Sequence, residues 1–294
     1  MKLKKIFSIV LVILLGMALL VGLYLQFSKG RPAPVPTKEK IMGGVTYMRL
    51  VRYLPHSMIA HVLVIDKKDR KPQFIVTPPD DDVQGDGVLK ARTTSQFLTE
   101  FGVQIAINGD GFFPWWSRSP VDYYPHVGDP VTPNGFTASK GDRYASGLQD
   151  ISPEPTLYIS RGSELVFNRP PSNIYNALSG DRMLLQGGEN ISGLDDTKTD
   201  PRSAIGINRN GRYIYLVVVD GRQPFYSEGA TYVELAELLQ DLGVFNAMSL
   251  DGGGSSTMVI KGKDGKPVIL NSPIDSYIPL RERPVANHLG VYIK

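Results

Sequence analysis

Three polar segments could gather chemistry in one place, because each directly follows a predicted buried strand. They are Asn108-Gly-Asp110, Asp220-Gly-Arg222 and Asp251-Gly-Gly-Gly-Ser255. An Asp that ends a strand and precedes Gly commonly begins an Asx-turn, which is the structural interpretation of any one of them. Three in one chain favour a shared cleft, where carboxylates act as acids or bases. Successive glycines there let the backbone approach an anion closely.

Two arginines are the best candidates for holding an anion in such a cleft. Arg202 begins a predicted strand, and Arg222 comes two residues after Asp220. A guanidinium fork matches two phosphate oxygens at once. The alternative for either side chain is a surface ion pair, which contributes little.

Several other chemistries are excluded by the residues present. The chain has no Cys, which removes disulfides, thiolate zinc sites and cysteine nucleophiles. Neither a G-x-S-x-G elbow nor a phosphate-binding G-K-S/T loop occurs. A formal net charge of +3 is too small to indicate a nucleic-acid-binding protein. No metal-ligand spacing such as H-E-x-x-H connects the four histidines, His56, His61, His126 and His288.

Strands separated by turns must position these segments, since 30 Gly and 22 Pro indicate many turns. The clearest hairpin joins strands over Arg202–Ile207 and Tyr213–Val219 through Asn210-Gly211. Helices are predicted over residues 94–101 and 231–242. The second begins with a Thr-x-x-Glu capping box, in which Glu234 would be the capping residue. The fold class is therefore α+β, with a mixed, strand-rich sheet core and a few helices.

Residues 114–150 contain no long periodic element, which in a domain of this size indicates a functional loop or a lid. Aromatic side chains in this segment could line a sugar, or they could form a local hydrophobic cluster. They are Trp115, Trp116, Tyr123, Tyr124 and Phe136.

The N-terminus predicts a membrane segment. Residues 6–27 form an apolar run whose 22 positions match the thickness of a bilayer core, roughly 30 Å, at about 1.5 Å per residue. Residues 1–5 form a basic tip that favours a cytoplasmic N-terminus and an exported remainder. Residues 28–40 are predicted to be a Pro-rich tether that does not pack on the domain, and residues 41–294 form that domain. A cleaved signal peptide and a secreted protein are the alternative.

An ordered set of motifs resembles the phosphodiester glycosidase family. This family includes the enzyme that uncovers mannose 6-phosphate by removing N-acetylglucosamine, and bacterial members associated with exopolysaccharide. Ser203, Ser249 and Asp110 depart from the family's usual residues, which bears on the substrate more than on the reaction. The motifs are Asp200-Pro-Arg-Ser-Ala-Ile-Gly206, Val219-Asp-Gly-Arg222, Thr231–Leu242, Leu250-Asp-Gly-Gly-Gly-Ser-Ser256, Asn271-Ser-Pro273 and Arg283-Pro-Val-Ala-Asn287.

The resemblance implies hydrolysis of a sugar-1-phosphodiester at the anomeric carbon, on envelope or extracellular polysaccharide. Asp220 and Asp251 are the candidates for stabilising an oxocarbenium-like centre or activating water. Glu234 is a third catalytic candidate beside its capping role. No cofactor is required by the sequence, although carboxylates near phosphate leave room for a divalent cation. The residues expected to bind the substrate phosphate are Arg202, Arg222, Asn108, Gly252, Gly253, Gly254 and Ser255.

Two alternatives of other classes stay open at this point. The domain could be a non-catalytic module that binds polysaccharide, in which case Asp220 and Asp251 are turn residues only. It could also be a metal-dependent phosphodiesterase that breaks the P–O bond.

Overall fold

A computed structural model describes residues 2–83, 88–119, 122–145 and 154–293. Within these ranges there are three α-helices, α1 (Lys2–Gly30), α2 (Thr94–Phe101) and α3 (Tyr232–Asp241), and two short 3₁₀-helices, Gly253–Ser255 and Asp275–Tyr277. The strands are β1 (Thr37–Met42), β2 (Val45–Arg52), β3 (Met58–Asp66), β4 (Gln73–Val76), β5 (Leu89–Lys90), β6 (Ile105–Asn108), β7 (Phe112–Phe113), β8 (Trp116–Ser119), β9 (Asp122–Tyr124), β10 (Pro130–Pro133), β11 (Thr137–Ser139), β12 (Asp142–Tyr144), β13 (Thr156–Ile159), β14 (Leu165–Phe167), β15 (Asn176–Ser179), β16 (Arg182–Gln186), β17 (Glu189–Asn190), β18 (Arg202–Asn208), β19 (Tyr213–Val219), β20 (Val244–Ser249), β21 (Met258–Lys261), β22 (Pro267–Ile269) and β23 (His288–Tyr292).

Two antiparallel sheets carry the architecture. The larger has eight strands in the order β1-β2-β3-β19-β18-β20-β16-β17, and the second has five in the order β22-β21-β6-β23-β4. The predicted hairpin is confirmed as β18 and β19, with Arg202 opposite Val219. The α+β class is also confirmed. Every ladder between the described strands is antiparallel, and the mixture of directions expected from the sequence is limited to one isolated parallel bridge, Ile274 with Arg281.

The main core lies between the two sheets. Because side chains alternate along a strand, Leu63 and Leu216 of the larger sheet face Ile107 and Leu289 of the second across this core. Their neighbours on the opposite face of the larger sheet, such as Val217, pack against α3. The second sheet is covered on its outer face by α2. The order of layers is therefore helix, sheet, sheet, helix, and the loops at one edge of both sheets are free to form a site.

Both helices of the domain begin as predicted. Thr93 and Thr231 each accept a hydrogen bond from the backbone N–H three residues later. The Glu234 carboxylate returns the bond by accepting from the Thr231 N–H at 2.9 Å, which completes a capping box. Glu234 also contacts Arg52, and His56 Nε2 lies 3.4 Å away. The Glu234 carboxylate is therefore bound by these partners and does not line the cavity described below.

The N-terminal segment differs from the predicted tether. Helix α1 runs to Gly30, and its residues 4–27 are long and apolar enough to cross a membrane or to serve as a signal sequence. The strand β1 then pairs with β2, so the folded domain begins at Thr37 rather than at residue 41. The alternating Thr-Lys-Glu-Lys pattern looks like a solvated linker, but charged residues are also what protects an exposed edge strand.

The predicted lid is also different in the structure. Of residues 114–150, those at 120–121 and 146–150 lie outside the described residues, and the others form short strands instead of a structureless loop. Trp115 packs on Tyr123 and Trp116 on Tyr124, with ring centroids 5.6 and 5.3 Å apart. Phe136 is fully buried. Most of these aromatic side chains therefore form local clusters, but Trp115 also lines the cavity described below, as predicted for a sugar-binding aromatic side chain.

Candidate active site

The two sheets meet at one edge, where the predicted polar segments come together. Strand β18 starts at this edge and its neighbours β19 and β20 end there, because both run antiparallel to it. Asn108 at the end of β6 joins the sheets. Its Nδ2 donates to the Asp251 carbonyl at 2.8 Å, and its Oδ1 accepts from Ser203 Oγ at 2.7 Å. Asn108 is fully buried, so it stabilises the site from the protein interior.

A cavity of about 560 Å³ opens at this edge. Of the residues predicted from the sequence, Arg202, Arg222, Asp251 and Gly252–Gly254 line it. Asn108, Ser255, Asp220 and Glu234 do not. The lining also contains Asp110, from the first of the three polar segments, and charged side chains that were not predicted as site residues: Glu154, Asp181, Asp200 and Arg283.

Asp251 has a cation as its neighbour. Burial raises the pKa of this carboxyl, and a hydrogen bond from Ser255 and the charge of Arg283 offset only part of this rise. Arg283 is itself held by Asp275, whose Oδ1 accepts from its Nε at 2.8 Å. Arg281 donates to the other oxygen of the same carboxylate at 2.6 Å. Asp275 therefore fixes the guanidinium that faces Asp251.

Asp110 is the second carboxyl in the cavity. Its two oxygens accept from the N–H groups of Gly111 and Gly135 at 2.7 and 2.6 Å. Burial raises the pKa of Asp110 to about 7, and the negative charge of Asp251 adds to this rise. The side chain is only 3 % exposed. Burial therefore favours the protonated form of this carboxyl.

Two further guanidinium groups, those of Arg202 and Arg222, line the cavity, and each is held by different partners. Arg202 donates to the carbonyls of Lys198 and Ala230, and its Cζ lies 3.7 Å from the centre of the Tyr232 ring. Arg222 donates from Nε to Asp200 Oδ1 at 2.7 Å. Burial alone would raise the pKa of Asp200, but its contacts with Arg222 and Lys198 outweigh this and lower it.

The glycine run has a steric function. A Cβ added to Gly254 would lie 2.5 Å from Arg283 Nη2, and one added to Gly253 would lie 3.0 Å from Arg222 Nη2. Gly253 also has a φ of +61°, which favours glycine. Its N–H donates to the Pro201 carbonyl, and the N–H of Gly252 bonds to Asp251. These two amides are thus already occupied, and the glycines make room for the arginines rather than presenting those N–H groups to phosphate.

Asp220 lies outside the cavity, although the sequence made it a catalytic candidate. It is fully buried, and its Oδ2 lies 3.0 Å from His61 Nε2, while Tyr47 Oη bonds to the other ring nitrogen. Its Oδ1 accepts from the Ser272 N–H at 2.6 Å. Asp220 therefore connects strand β3 to the loop after β22 through hydrogen bonds.

Replacing Asp220 by Asn should therefore affect stability more than turnover. We expect the free energy of unfolding to fall by about 1–3 kcal/mol, because a charged, buried hydrogen bond is lost. Turnover by the folded protein should change by less than about tenfold, below the range for losing a catalytic acid or base. Chemical denaturation and a turnover assay on the same sample measure both. A loss beyond about a hundredfold with unchanged stability would restore Asp220 to the catalytic site.

The fold and lining define an α+β protein with a cleft of carboxylates and arginines at the meeting edge of two antiparallel sheets. A family model described as phosphodiester glycosidase matches residues 101–292, well over half of the chain. The chain therefore belongs to the phosphodiester glycosidase family.

Individual relatives agree with this assignment. The chain is 43% identical over 61 residues to a Bos taurus N-acetylglucosamine-1-phosphodiester alpha-N-acetylglucosaminidase, covering 21% of this chain and 11% of that protein. It is 41% identical over 63 residues to the prophage-derived protein YomE of Bacillus subtilis, covering 21% of this chain and 10% of that protein. The matched part thus spans about a tenth of the length of these curated relatives.

The fold is also similar to that of a solved structure. The zebrafish N-acetylglucosamine-1-phosphodiester alpha-N-acetylglucosaminidase catalytic domain, auto-inhibited by its pro-peptide, superposes with a TM-score of 0.59 at 19% identity. The match covers 90% of this chain and 86% of that one. At this identity the similarity concerns the fold.

Proposed function

We propose that this protein is a membrane-anchored, extracytoplasmic glycoside hydrolase that cleaves the C1–O bond of a sugar-1-phosphodiester in envelope or extracellular polysaccharide. The observation that carries the proposal is one cavity lined by Asp110, Asp251 and three guanidinium groups, together with three further carboxylates. Family membership supports the reaction class. Three cations suit a substrate with a charged phosphodiester, and two carboxyls suit chemistry at an anomeric carbon.

The two carboxyls have environments that suit different roles. In its ionised form Asp251, which lies beside Arg283, either activates water or stabilises the positive anomeric centre. Asp110, with a pKa of about 7, carries a proton through the acidic range and donates it toward the leaving phosphate oxygen. Arg202 and Arg222 neutralise the phosphate. A phosphate is a much better leaving group than a sugar alkoxide, so this electrostatic help replaces part of the general-acid work.

Hydrolysis in ¹⁸O-labelled water tests the proposal directly. The full chain in detergent, with the N-acetylglucosamine-1-phosphate ester of methanol as substrate, should place the label in the sugar. Label in the phosphate would instead show a phosphodiesterase that breaks P–O. Binding without any product would show a non-catalytic polysaccharide-binding module. Repeating the assay after chelation with EDTA tests whether the activity requires a divalent cation.

The role of Arg202 can be tested by a substitution that keeps its charge. Arg202→Lys should lower kcat/KM by about 10–100-fold, because Lys provides a point charge but cannot donate to Lys198 and Ala230 while also facing the phosphate. Arg182→Lys is a matched control, since Arg182 stacks on the opposite side of the same Tyr232 ring and does not line the cavity. Equal kinetics for both variants would remove Arg202 from phosphate binding.

The location proposed for the domain depends on retention of helix α1. Lys2, Lys4 and Lys5 favour a cytoplasmic N-terminus, and the domain would then lie on the outer side. An N-terminal tag that remains on the membrane-bound protein supports the anchor. Recovery of an untagged protein from the medium would support a cleaved signal peptide instead.

A further inference from the structure

The end of helix α1 is packed against the domain. The Arg31 guanidinium lies 3.4 Å from the centre of the Tyr226 ring and donates to Gln223 and Ser272. Lys29 Nζ lies 5.0 Å from the ring centre of Phe225. If α1 spans the bilayer, these contacts hold the loop at residues 223–226 against the membrane surface.

A second cavity lies at this junction. It has a volume of about 810 Å³, and its lining combines Tyr24 of helix α1, Pro224, Phe225 and Tyr277 with polar side chains, among them Glu228. Tyr24 is three residues from the end of the apolar stretch. With α1 in a bilayer, the cavity therefore lies near the lipid headgroups.

Exposed apolar side chains at this junction are held in an unusual backbone conformation. Phe225 and Tyr277 are 63 % and 64 % exposed, and both have φ above +60°. A bulky side chain in this left-handed region costs free energy, and burial within the domain does not offset it here. Each ring has a cationic neighbour, Lys29 for Phe225 and Arg222 for Tyr277, and its remaining exposed surface is available for apolar contact with lipid.

The two cavities share one side chain, Arg222, which lines both. On one side is the polar cavity with Asp110 and Asp251, and on the other is the apolar cavity next to α1. A molecule bound across Arg222 would have its sugar on the polar side, its phosphate at the guanidinium and an apolar chain on the other side.

We infer that the substrate of this site is a sugar-1-phosphodiester whose other ester group is a lipid, bound from the bilayer surface. The inference rests on the proposed function and adds the class of the aglycone. In the reaction, water forms a new bond to C1 while the bond from C1 to the phosphate oxygen breaks, and its electron pair stays on the phosphate. One water proton passes to a cavity carboxylate and the other stays on the new sugar hydroxyl. The products are the free sugar and a lipid phosphomonoester.

Two substrates with the same sugar test the inference. The full chain is reconstituted in phospholipid nanodiscs and assayed with the N-acetylglucosamine-1-phosphate esters of farnesol and of methanol. We expect kcat/KM for the farnesyl ester to exceed that for the methyl ester by about a hundredfold or more, since each buried CH₂ contributes about threefold to fourfold.

If the apolar cavity binds the lipid, substitutions in it should reduce the preference for the farnesyl ester over the methyl ester. Phe225→Asn and Tyr277→Asn keep the backbone, because Asn tolerates the left-handed region. Each should lower kcat/KM for the farnesyl ester by about tenfold. Phe225→Asn should leave the methyl ester unchanged, while Tyr277→Asn also removes the ring 5.5 Å from Arg222 Cζ and is judged by the ratio of the two esters. Leu280→Asn is the matched control, as Leu280 is also exposed with a φ of +65° but does not line the cavity. It should change neither value. Helix α1 keeps every variant in the nanodisc, so lost membrane association cannot explain a difference.

The outcomes separate this inference from the proposed function. Cleavage of neither ester would contradict the glycosidase proposal itself. Equal cleavage of both esters would overturn the lipid inference and leave the glycosidase in place. A farnesyl preference that Phe225→Asn and Tyr277→Asn do not reduce, or that Leu280→Asn reduces equally, would overturn the assignment of the apolar cavity.

Discussion

Replacing Asp251 by Asn should lower kcat by about 10²–10⁴-fold, the range for losing a catalytic acid or base. Asn has the same shape and can still accept from the Gly252 N–H and from Ser255, so the loop should keep its conformation. The negative charge that would stabilise the anomeric centre is absent in the variant. Thermal melting and steady-state turnover of the same preparation measure the two effects separately.

A second carboxylate on the same cavity wall provides the control. Asp181 lines the cavity but is engaged by Arg182 and by the Tyr232 hydroxyl. Asp181→Asn should change kcat by less than about tenfold. The negative charge that this variant removes lies on a half-exposed side chain, where solvent screens its effect on the rest of the cavity. An Asp251→Asn protein with normal melting and normal turnover would defeat the catalytic assignment.

Replacing Asp110 by Asn should lower kcat by a similar factor, about 10²–10⁴-fold, and should also change its pH dependence. In the unmodified protein, activity should fall as the pH rises through about 7, because Asp110 then loses the proton that it donates. The Asn variant has no such group, so its residual activity should not fall through this range. A pH–rate profile of both proteins between pH 5 and pH 9, about two units on either side of this pKa, measures the difference.

Stability provides an independent test of the same group. The folded protein binds the Asp110 proton more tightly than the unfolded chain does, because burial raises the folded pKa from 3.8 to about 7. Asp110 therefore weakens the fold progressively as the pH rises from about 4 to about 7. Asp110→Asn should remove this decline. A decline of the same size in both proteins would show that the Asp110 pKa is not raised in this way.

Local signals in the sequence were sufficient for the hairpin and for both domain helices. The Asn210-Gly211 turn fixes β18 against β19, and the capping box of Thr231 and Glu234 fixes the start of α3. These features depend on residues that are close together in the chain. The same reasoning predicted the helix-capping position of Glu234, which the structure shows.

The different positions of Asp220 and Asp251 in the structure could not be predicted from the sequence. Both follow a buried strand and precede Gly, so no local signal distinguishes them. In the structure, strand β3 places His61 opposite Val218, next to Asp220, and the histidine engages that carboxylate in the core. Asp251 has Arg283 as its neighbour instead. The difference comes from strand pairing between distant parts of the chain.

The unpredicted members of the cavity were missed for the same reason. Asp110, Asp200 and Arg283 each lie in a motif that the sequence shows, but their placement around one cavity depends on how the two sheets meet. A signal was present for Asp110, since it departs from the residue usual in the family at that position. The polar composition of β1 was misleading in a different way, because an edge strand and a linker both favour charged residues.

The bonds of Asn108 have a consequence for folding kinetics. Its side chain bonds to Ser203 and to the backbone of Asp251, which are 95 and 143 residues away along the chain. Contacts of such separation require large loops to close, which costs chain entropy and slows folding. The helices α2 and α3 need no such closure. During refolding in detergent, helical circular dichroism should therefore recover before turnover does, and the return of catalysis would mark the last step of assembly.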